Sequence, residues 1–473
     1  MSEVMQTMWG PGIFDAVILS VLLLAGQILK RKIPFLNTFL LPSAIIAGFL
    51  GLLLGSDGIG LIHLDQERLG VYVYHLLGLG FISLALKDRE MTASRPIVKT
   101  GLFIVTVYLL QGIIGSIITI TAAYTFLPDT FPSLGLLLPL GFGQGPGQAY
   151  SIGRSWESAG VKFGGSLGLT IATMGFVWAT FGGVIAANIL KKKYPPTALP
   201  VSPGSSGAQV SREVIANLFG EPETPQEEQG ELNLSNMIDI GTRQLFLIGF
   251  IYLAVYLTLY GISMLLGRLG NVGANLANVL WGFHFVFGTM YAIIVKLAMA
   301  RLRKRGVMHH VYNNNRILSR ISGTSFDYMV AASIAAISVE VILDSWIILL
   351  LLTAAGGIIT LWFSLYAARK VFKKDILEYT LGFFGTYTGT LSTGMALLRT
   401  VDPSFRTKVA DHLVLGGGLA LFFAFPLLLI LNLPVIALTE NKPEFHFYAL
   451  AALVVYCALT AFFLFFDRKP KAR

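Results

Sequence analysis

Leu140-Gly141-Phe142-Gly143-Gln144-Gly145-Pro146-Gly147-Gln148-Ala149-Tyr150-Ser151 is a polar, glycine-rich run inside a largely apolar sequence. It is too rich in Gly and too polar to be an ordinary membrane helix. A second run echoes it: Leu381-Gly382-Phe383-Phe384-Gly385-Thr386-Tyr387-Thr388-Gly389-Thr390-Leu391-Ser392-Thr393-Gly394. Both carry Leu-Gly-Phe, then a Gly-x-x-x-Gly (Gly143/Gly147 and Gly385/Gly389), then a further Gly (Gly153 and Gly394). Gly/Pro-interrupted segments at matching places in two hydrophobic halves point to a transporter's binding site.

The 473 residues are 54% hydrophobic and only 13% charged. A soluble chain of this length needs more charge to cover its surface, so the composition predicts a polytopic membrane protein lying in a lipid bilayer. The net charge of +9 is carried in short basic runs between apolar segments. That is the distribution of a topology signal, and it argues against nucleic acid as a partner. Cys457 is the only cysteine, which excludes an intramolecular disulfide. Before the first apolar segment stand Glu3 and Asp15 rather than basic residues, so that segment reads as a retained helix.

Apolar segments long enough to span are expected near 13–29, 38–55, 70–86, 100–126 and 165–189, with the first glycine-rich run at 134–153 before the fifth. A Pro-, Ser-, Gly- and Glu-rich stretch follows, read as a soluble linker at 191–240. Segments near 243–266, 275–298, 323–343, 345–368 and 411–432 repeat the plan, with the second run at 378–398, and a last helix is expected near 446–466. The expected domains are therefore an N-terminal repeat at 1–190, the linker, a C-terminal repeat at 241–435, and an extra helix with a basic tail at 436–473. Five spans per half force the halves into opposite senses, an inverted repeat. With the N-terminus outside and both glycine-rich runs re-entrant, about thirty of the 35 Lys and Arg fall on the cytoplasmic side. Arg68, Arg154, Lys162, Arg268 and Lys442 stay outside. The linker and C-terminus are then cytoplasmic.

A re-entrant hairpin exposes backbone at membrane depth, which is tolerated only against protein or a polar cavity. A half-helix beginning after Gly147 would aim amides and a dipole end at an anion. Gln144, Gly145, Gly147, Gln148, Tyr150 and Ser151, with Gly389 and Thr390, are the candidate substrate-binding residues. The hydroxyls of Thr386, Thr388, Ser392 and Thr393 suit a hard cation, sodium. The plain alternative is that the glycines only permit close helix packing; it leaves the duplication, Pro146 and the clustered polar groups unexplained. A dinucleotide-loop reading of Gly141 to Gly147 lacks the strand–turn–helix context that motif needs.

These residues resemble the bacterial sodium/glutamate symporters. That family's first hairpin carries a Gly-His-Gly-Thr-Gly-Ala-Ala-Trp-Ser-like run, here Gly143-Gln144-Gly145-Pro146-Gly147-Gln148-Ala149-Tyr150-Ser151, matched in its glycine frame, Ala149 and Ser151. Its second motif resembles Gly-Phe-Gly-Leu-Gly-Ala-Thr-Pro-Thr-Ala, matched by Gly385, Gly389 and Thr393. Gln144, Pro146, Gln148, Tyr150, Thr390, Leu391, Ser392 and Gly394 differ. The resemblance covers about residues 13–435 in layout and is specific only in the hairpins.

It implies an all-α membrane protein of two inverted five-helix repeats, each with a re-entrant hairpin, in a bacterial inner membrane. It further implies a homodimer working by elevator-like alternating access, in which one domain holds both hairpin tips and moves against a fixed scaffold. The expected function is sodium-coupled symport of glutamate, a related amino acid or a small organic anion, anionic or zwitterionic. A proton-coupled exchanger or channel for a small anion is the alternative. No His-Glu-x-x-His, Gly-x-Gly-Asp or central aspartate pair is present, so an enzyme is not expected.

Other polar residues read more plainly. Glu340 and Asp344 would lie near the outer end of the eighth segment, as a solvated pair or an ion site. Asp15 and Asp327 would sit at helix starts. His309-His310 beside Asn313 to Asn315 falls in a basic loop, His75 and His284 are packed in helices, and Arg154 and Arg399 flank the runs. The topology is checked by cysteines at Ser205 and Lys471 in intact cells: neither should react with an impermeant thiol reagent.

Overall fold

The computed structural model describes residues 10–33, 36, 41–87, 94–197, 234–268, 270–307, 313–403 and 405–466. Most of the linker (198–233), His309-His310, positions 205 and 471, and the tail from 467 lie outside the described residues. Every regular element among the described residues is helical. In chain order these are α1 (Pro11–Lys32), α2 (Ser43–Leu54), α3 (Gln66–Leu86), α4 (Arg95–Thr125), α5 (Leu134–Gln144), α6 (Pro146–Glu157) and α7 (Gly164–Leu190). The second half contains α8 (Leu234–Gly267), α9 (Gly270–Gly282), α10 (His284–Lys304), α11 (Asn315–Ala335), α12 (Val339–Phe372), α13 (Ile376–Thr388), α14 (Leu391–Arg399), α15 (Val409–Phe423), α16 (Phe425–Thr439) and α17 (Glu444–Phe465).

Eight of these helices are long and apolar enough to cross a membrane, or nine when α15 and α16 count as one span bent by 48°. Pro426 opens the second limb of that bend, where its missing N–H releases the helix ladder. The chain is thus an all-α polytopic membrane protein.

The sequence suggests eleven spans, and two of them fail the length-and-composition test. α2 has 12 residues, about 18 Å at the helical rise, against a hydrocarbon core of about 30 Å. α11 has 21 residues but carries Arg316, Arg320 and Asp327 along its length. The boundary expected at 343–345 lies instead at 336–338. There Ser338 caps α12 by accepting from the Val341 amide, and the continuous apolar run hides this stop from hydropathy alone. Glu340 consequently sits in the first turn of α12 rather than near the far end of a preceding helix. Asp327 is mid-helix in α11 and not at a start.

The chain folds into two compact units that cut across its sequence halves. The first unit takes α1 as far as Gln27, α2, α3 and α8 to α11; the second takes α4 to α7 and α12 to α17. Each half therefore contributes helices to both units.

Small residues set the packing of the first unit. A Cβ on Gly26 would meet the Ser43 carbonyl oxygen of α2 at 2.6 Å, and one on Gly48 would meet Ile334 of α11 at 2.6 Å. Gly80 lies equally close to the Phe326 ring. Asp15, 1% exposed, is paired with Arg68 at 2.6 Å across α1 and α3. The open end of α3 is closed by Lys296, whose Nζ donates to the Ala85 and Lys87 carbonyls at 3.1 Å, and by Asn313, which donates to Leu86 O at 2.9 Å. The His284 ring nitrogens lie against two carbonyl oxygens, which can only accept, Tyr74 O at 2.9 Å and Trp281 O at 3.2 Å, and His75 meets the Tyr252 hydroxyl at 2.6 Å. His284 is buried in the helix bundle, whereas His75, expected to be packed, is exposed.

The second unit is built around α4. In its most apolar stretch 72% of residues are buried, against 22% in α17. Gly101 packs on α15, Gly112 on Leu453 of α17, and Gly115 so closely on Gly135 of α5 that neither could carry a Cβ. Phe103 stacks on Phe383 of α13 with centroids 3.9 Å apart. Near the N-terminal end of α4, buried Lys99 donates to the last carbonyls of α17, at 3.0 Å to Phe463 O and 2.9 Å to Phe466 O. An ammonium at a helix C-terminus satisfies orphan acceptors and the dipole together. Replacing Lys99 with Met should therefore destabilise the detergent-solubilised protein by about 1–3 kcal/mol, seen as a lower melting midpoint. Lys442→Met, at an exposed side chain, should leave the midpoint unchanged.

Candidate functional site

Both glycine-rich runs are breaks between two short helices, and both lie in the second unit. At the first, α5 ends in a π-type turn at Gln144 and Gly145 adopts φ +95°, ψ 173°, a conformation that L side chains rarely adopt. Pro146 then opens α6, so the half-helix begins two residues earlier than the sequence suggests. Proline fits there because a first-turn amide has no helical partner to lose. The amides of Gly147 and Gln148 precede the first bond of α6, from Ala149 N to Gly145 O at 3.3 Å. Gly145, Gly147, Gln148 and Ser151 are buried, and Gln144 and Tyr150 half-buried. Gln144 Nε2, Gln148 Oε1 and Ser151 Oγ are all shielded from solvent without a hydrogen-bond partner. Orphaned buried polar atoms are uncommon and call for a reason.

At the second break α13 ends at Thr388 and α14 begins at Leu391, with Gly389 and Thr390 between them. Here the polar groups are satisfied locally. Thr390 and Thr393 form a reciprocal capping box, with Thr390 N donating to Thr393 Oγ1 at 2.7 Å. The Thr393 hydroxyl proton has two local acceptors, Gly385 O at 2.8 Å on the opposite arm and Thr390 O at 2.7 Å. Thr386 and Thr388 donate to the carbonyls of Gly382 and Phe384, each at 2.7 Å. The protons of these hydroxyls are engaged, while the oxygens of Thr386 and Thr388 keep lone pairs. Ser392 is exposed and stands apart from the others.

Most of the glycines have packing reasons. A Cβ on Gly143 would strike the Tyr108 ring; those on Gly153 and Gly164 would strike each other's backbone, joining α6 to α7. A Cβ on Gly385 would lie 2.9 Å from Gly394 Cα, so the arms α13 and α14 fold back on one another. Close packing accounts for these glycines, and the unpartnered side chains of the first run are what packing leaves over.

The two breaks converge. On α7, a Cβ at Gly175 would meet both Thr388 O of the second run and the Phe142 ring of the first. On α4, Tyr108 donates to Gly143 O at 2.9 Å, and Gln111 donates through Nε2 to Tyr387 O at 2.9 Å and to Thr360 Oγ1 of α12 at 2.8 Å. Tyr108 and Tyr387 also meet edge to face at 5.9 Å. Sequence reading passed over Tyr108, Gln111 and Thr360. The signal available was an amide side chain in the middle of a long apolar segment, where an uncharged polar residue needs a partner.

The flanking arginines play a lesser part. Arg154 pairs with Glu157 one turn on, and Arg399 lies over the Phe405 ring at 5.2 Å. No group of three His, Cys, Asp or Glu gathers as a metal site among the described residues. No protein-family model, curated protein or solved structure matches the chain.

Gly394→Ala should force the arms of the second break apart, since its Cβ would collide with Thr386 Oγ1 and lie 2.8 Å from Gly382 O. A loss of about 1–3 kcal/mol is expected in thermal unfolding. Gly145→Ala should cost about 1–3 kcal/mol through backbone strain alone. Gly417→Ala, in open space, should be neutral.

Proposed function

We propose that the chain is a secondary active transporter, a distant relative of the sodium/glutamate symporters, with two inverted repeats and a re-entrant hairpin in each. One observation carries this reading: two helix breaks from corresponding places in the two halves are brought together in one unit, and the first keeps buried polar groups without protein partners. An apolar medium offers no water to such groups, so a ligand is the physical reason to retain them.

The first break combines the start of α6, Gln144, Gln148 and Ser151, which suits the carboxylate of an amino acid or small organic anion. The second presents the C-terminal end of α13, with its carbonyls and the Thr386 and Thr388 oxygens, which suits sodium. Thr393, the hydroxyl matching the family motif, has its first role here in holding the break itself. Uptake by alternating access, in a bacterial inner membrane with the N-terminus outside and as a homodimer, belongs to the same proposal. Coupling to protons instead of sodium is the competing reading.

A melting-shift screen of dicarboxylates, amino acids and sulfonates, in sodium chloride and in choline chloride, tests this. At least one compound should stabilise the protein in sodium and not in choline, and Gln148→Ala should weaken that compound roughly 5- to 150-fold. Stabilisation by the compound that is equal in both salts and follows pH would favour proton coupling.

A further inference from the structure

Glu378 stands in the first turn of α13 and is 0% exposed. It belongs to the open end of the second hairpin, outside the spanning helices, and the break beyond Thr388 lies about 15 Å further along the helix. Its Oε1 accepts from the Thr197 amide at 2.7 Å, while its Oε2 is buried without a hydrogen-bond partner. Thr197 belongs to the segment 191–197 that continues from α7. The other end of that segment is fastened too: Lys191 Nζ donates at 3.1 Å to the carbonyl oxygen of Thr400, the residue after α14. One strap thus joins the start of α13 to the end of α14.

The charges that act on Glu378 are of its own sign: Asp375, just before α13, and Asp402. Asp402 is itself satisfied by the Arg406 and Thr407 amides and the Thr407 hydroxyl. Bases stand on the neighbouring elements, Lys191 on the strap, Arg369 and Lys370 closing α12, Lys373 and Lys374 after it, Arg399 on α14, and Arg406 and Lys408 before α15. None of them pairs with Glu378 among the described residues. On α15, beside Asp411, His412 is engaged with the Tyr379 hydroxyl. Burial first, then the two acids, pushes the Glu378 carboxyl above the ordinary carboxylate range, against the pull of the Glu378 and Thr197 amides.

We propose that Glu378 is a proton-binding site: with its proton it holds the strap 191–197 across the open end of the second hairpin, and on losing it releases the strap. A proton needs no set of ligands, and Oε2 is the oxygen left to carry it. Neutral, the carboxyl still accepts from Thr197 through Oε1. Charged, it leaves a bare oxygen in a dry place beside two acids, and the remedy is water, which enters when the strap lifts. The covered carboxyl binds its proton more tightly than the uncovered one. Closure is therefore fully supported below the uncovered pKa and is lost as pH rises through the covered one. The hairpin arms are tied together in acid and freed in alkali, a regulation that does not depend on which ligand is carried.

The test is hydrogen–deuterium exchange of the purified full-length protein between about pH 5 and pH 8, corrected for the intrinsic pH dependence of amide exchange. In the wild type, exchange in peptides covering 191–197 should quicken with rising pH by up to about tenfold per pH unit. Glu378→Gln, neutral at every pH and able to accept through the same oxygen, should keep the strap protected across the range. Thr197→Pro, which removes the donor, should leave 191–194 in fast exchange at every pH. A wild-type strap indifferent to pH would overturn the proposal, and so would a Glu378→Gln strap that still loosens as the wild type does. Should Glu378→Gln not fold, Thr197→Pro decides: loss of the pH dependence supports the site, and a dependence like the wild type's removes it.

Discussion

A helix broken inside an apolar medium leaves backbone donors and acceptors that water cannot reach, and each unsatisfied group costs several kcal/mol there. The second unit is arranged around meeting that cost at two places. At the second break the remedy is internal: a capping box, a hydroxyl bridging the arms and two back-bonded threonines. At the first it is partly external. Tyr108 reaches from α4 to Gly143 O, Gly145 takes a turn that only glycine takes without strain, and Pro146 removes a donor that would have needed a partner. What remains there are three buried side-chain atoms without a hydrogen-bond partner, Gln144 Nε2, Gln148 Oε1 and Ser151 Oγ. One break is satisfied from within and the other is not, and the proposed ligand site rests on that contrast.

α4 ties the two breaks together. Its glycines let α5 and α15 approach, its Phe103 stacks on α13, and Gln111 joins α12 to the end of α13. Gln111 is worth more as a junction than its two side-chain bonds suggest, because losing it would strand the Tyr387 carbonyl in a dry interior.

The helix-breaking character of both runs was legible because Gly and Pro act through the backbone, and backbone effects are local. The arms Leu134–Glu157 and Ile376–Arg399 enclose the expected runs at 134–153 and 378–398. The gathering of the site was less legible. Thr386, Thr388 and Thr393 read as free hydroxyls, since nothing in their spacing shows that each finds a carbonyl one turn or one arm away. Gln111 was invisible because its meaning depends on Thr360 and Tyr387, far off in sequence. The break at 336–338 was missed for a related reason: a single serine cap inside an unbroken apolar run leaves hydropathy flat. Conversely, Asp15 reads as an ordinary helix-start acid until Arg68 is found beside it.

The central claim is that the two breaks form one ligand site in the second unit. Hydrogen–deuterium exchange of the detergent-solubilised protein, in sodium chloride against choline chloride, addresses it directly. The account predicts that sodium slows exchange in peptides covering 143–149 and 387–392 together, with α1 to α3 unaffected. Protection at neither run, or at one without the other, would contradict it.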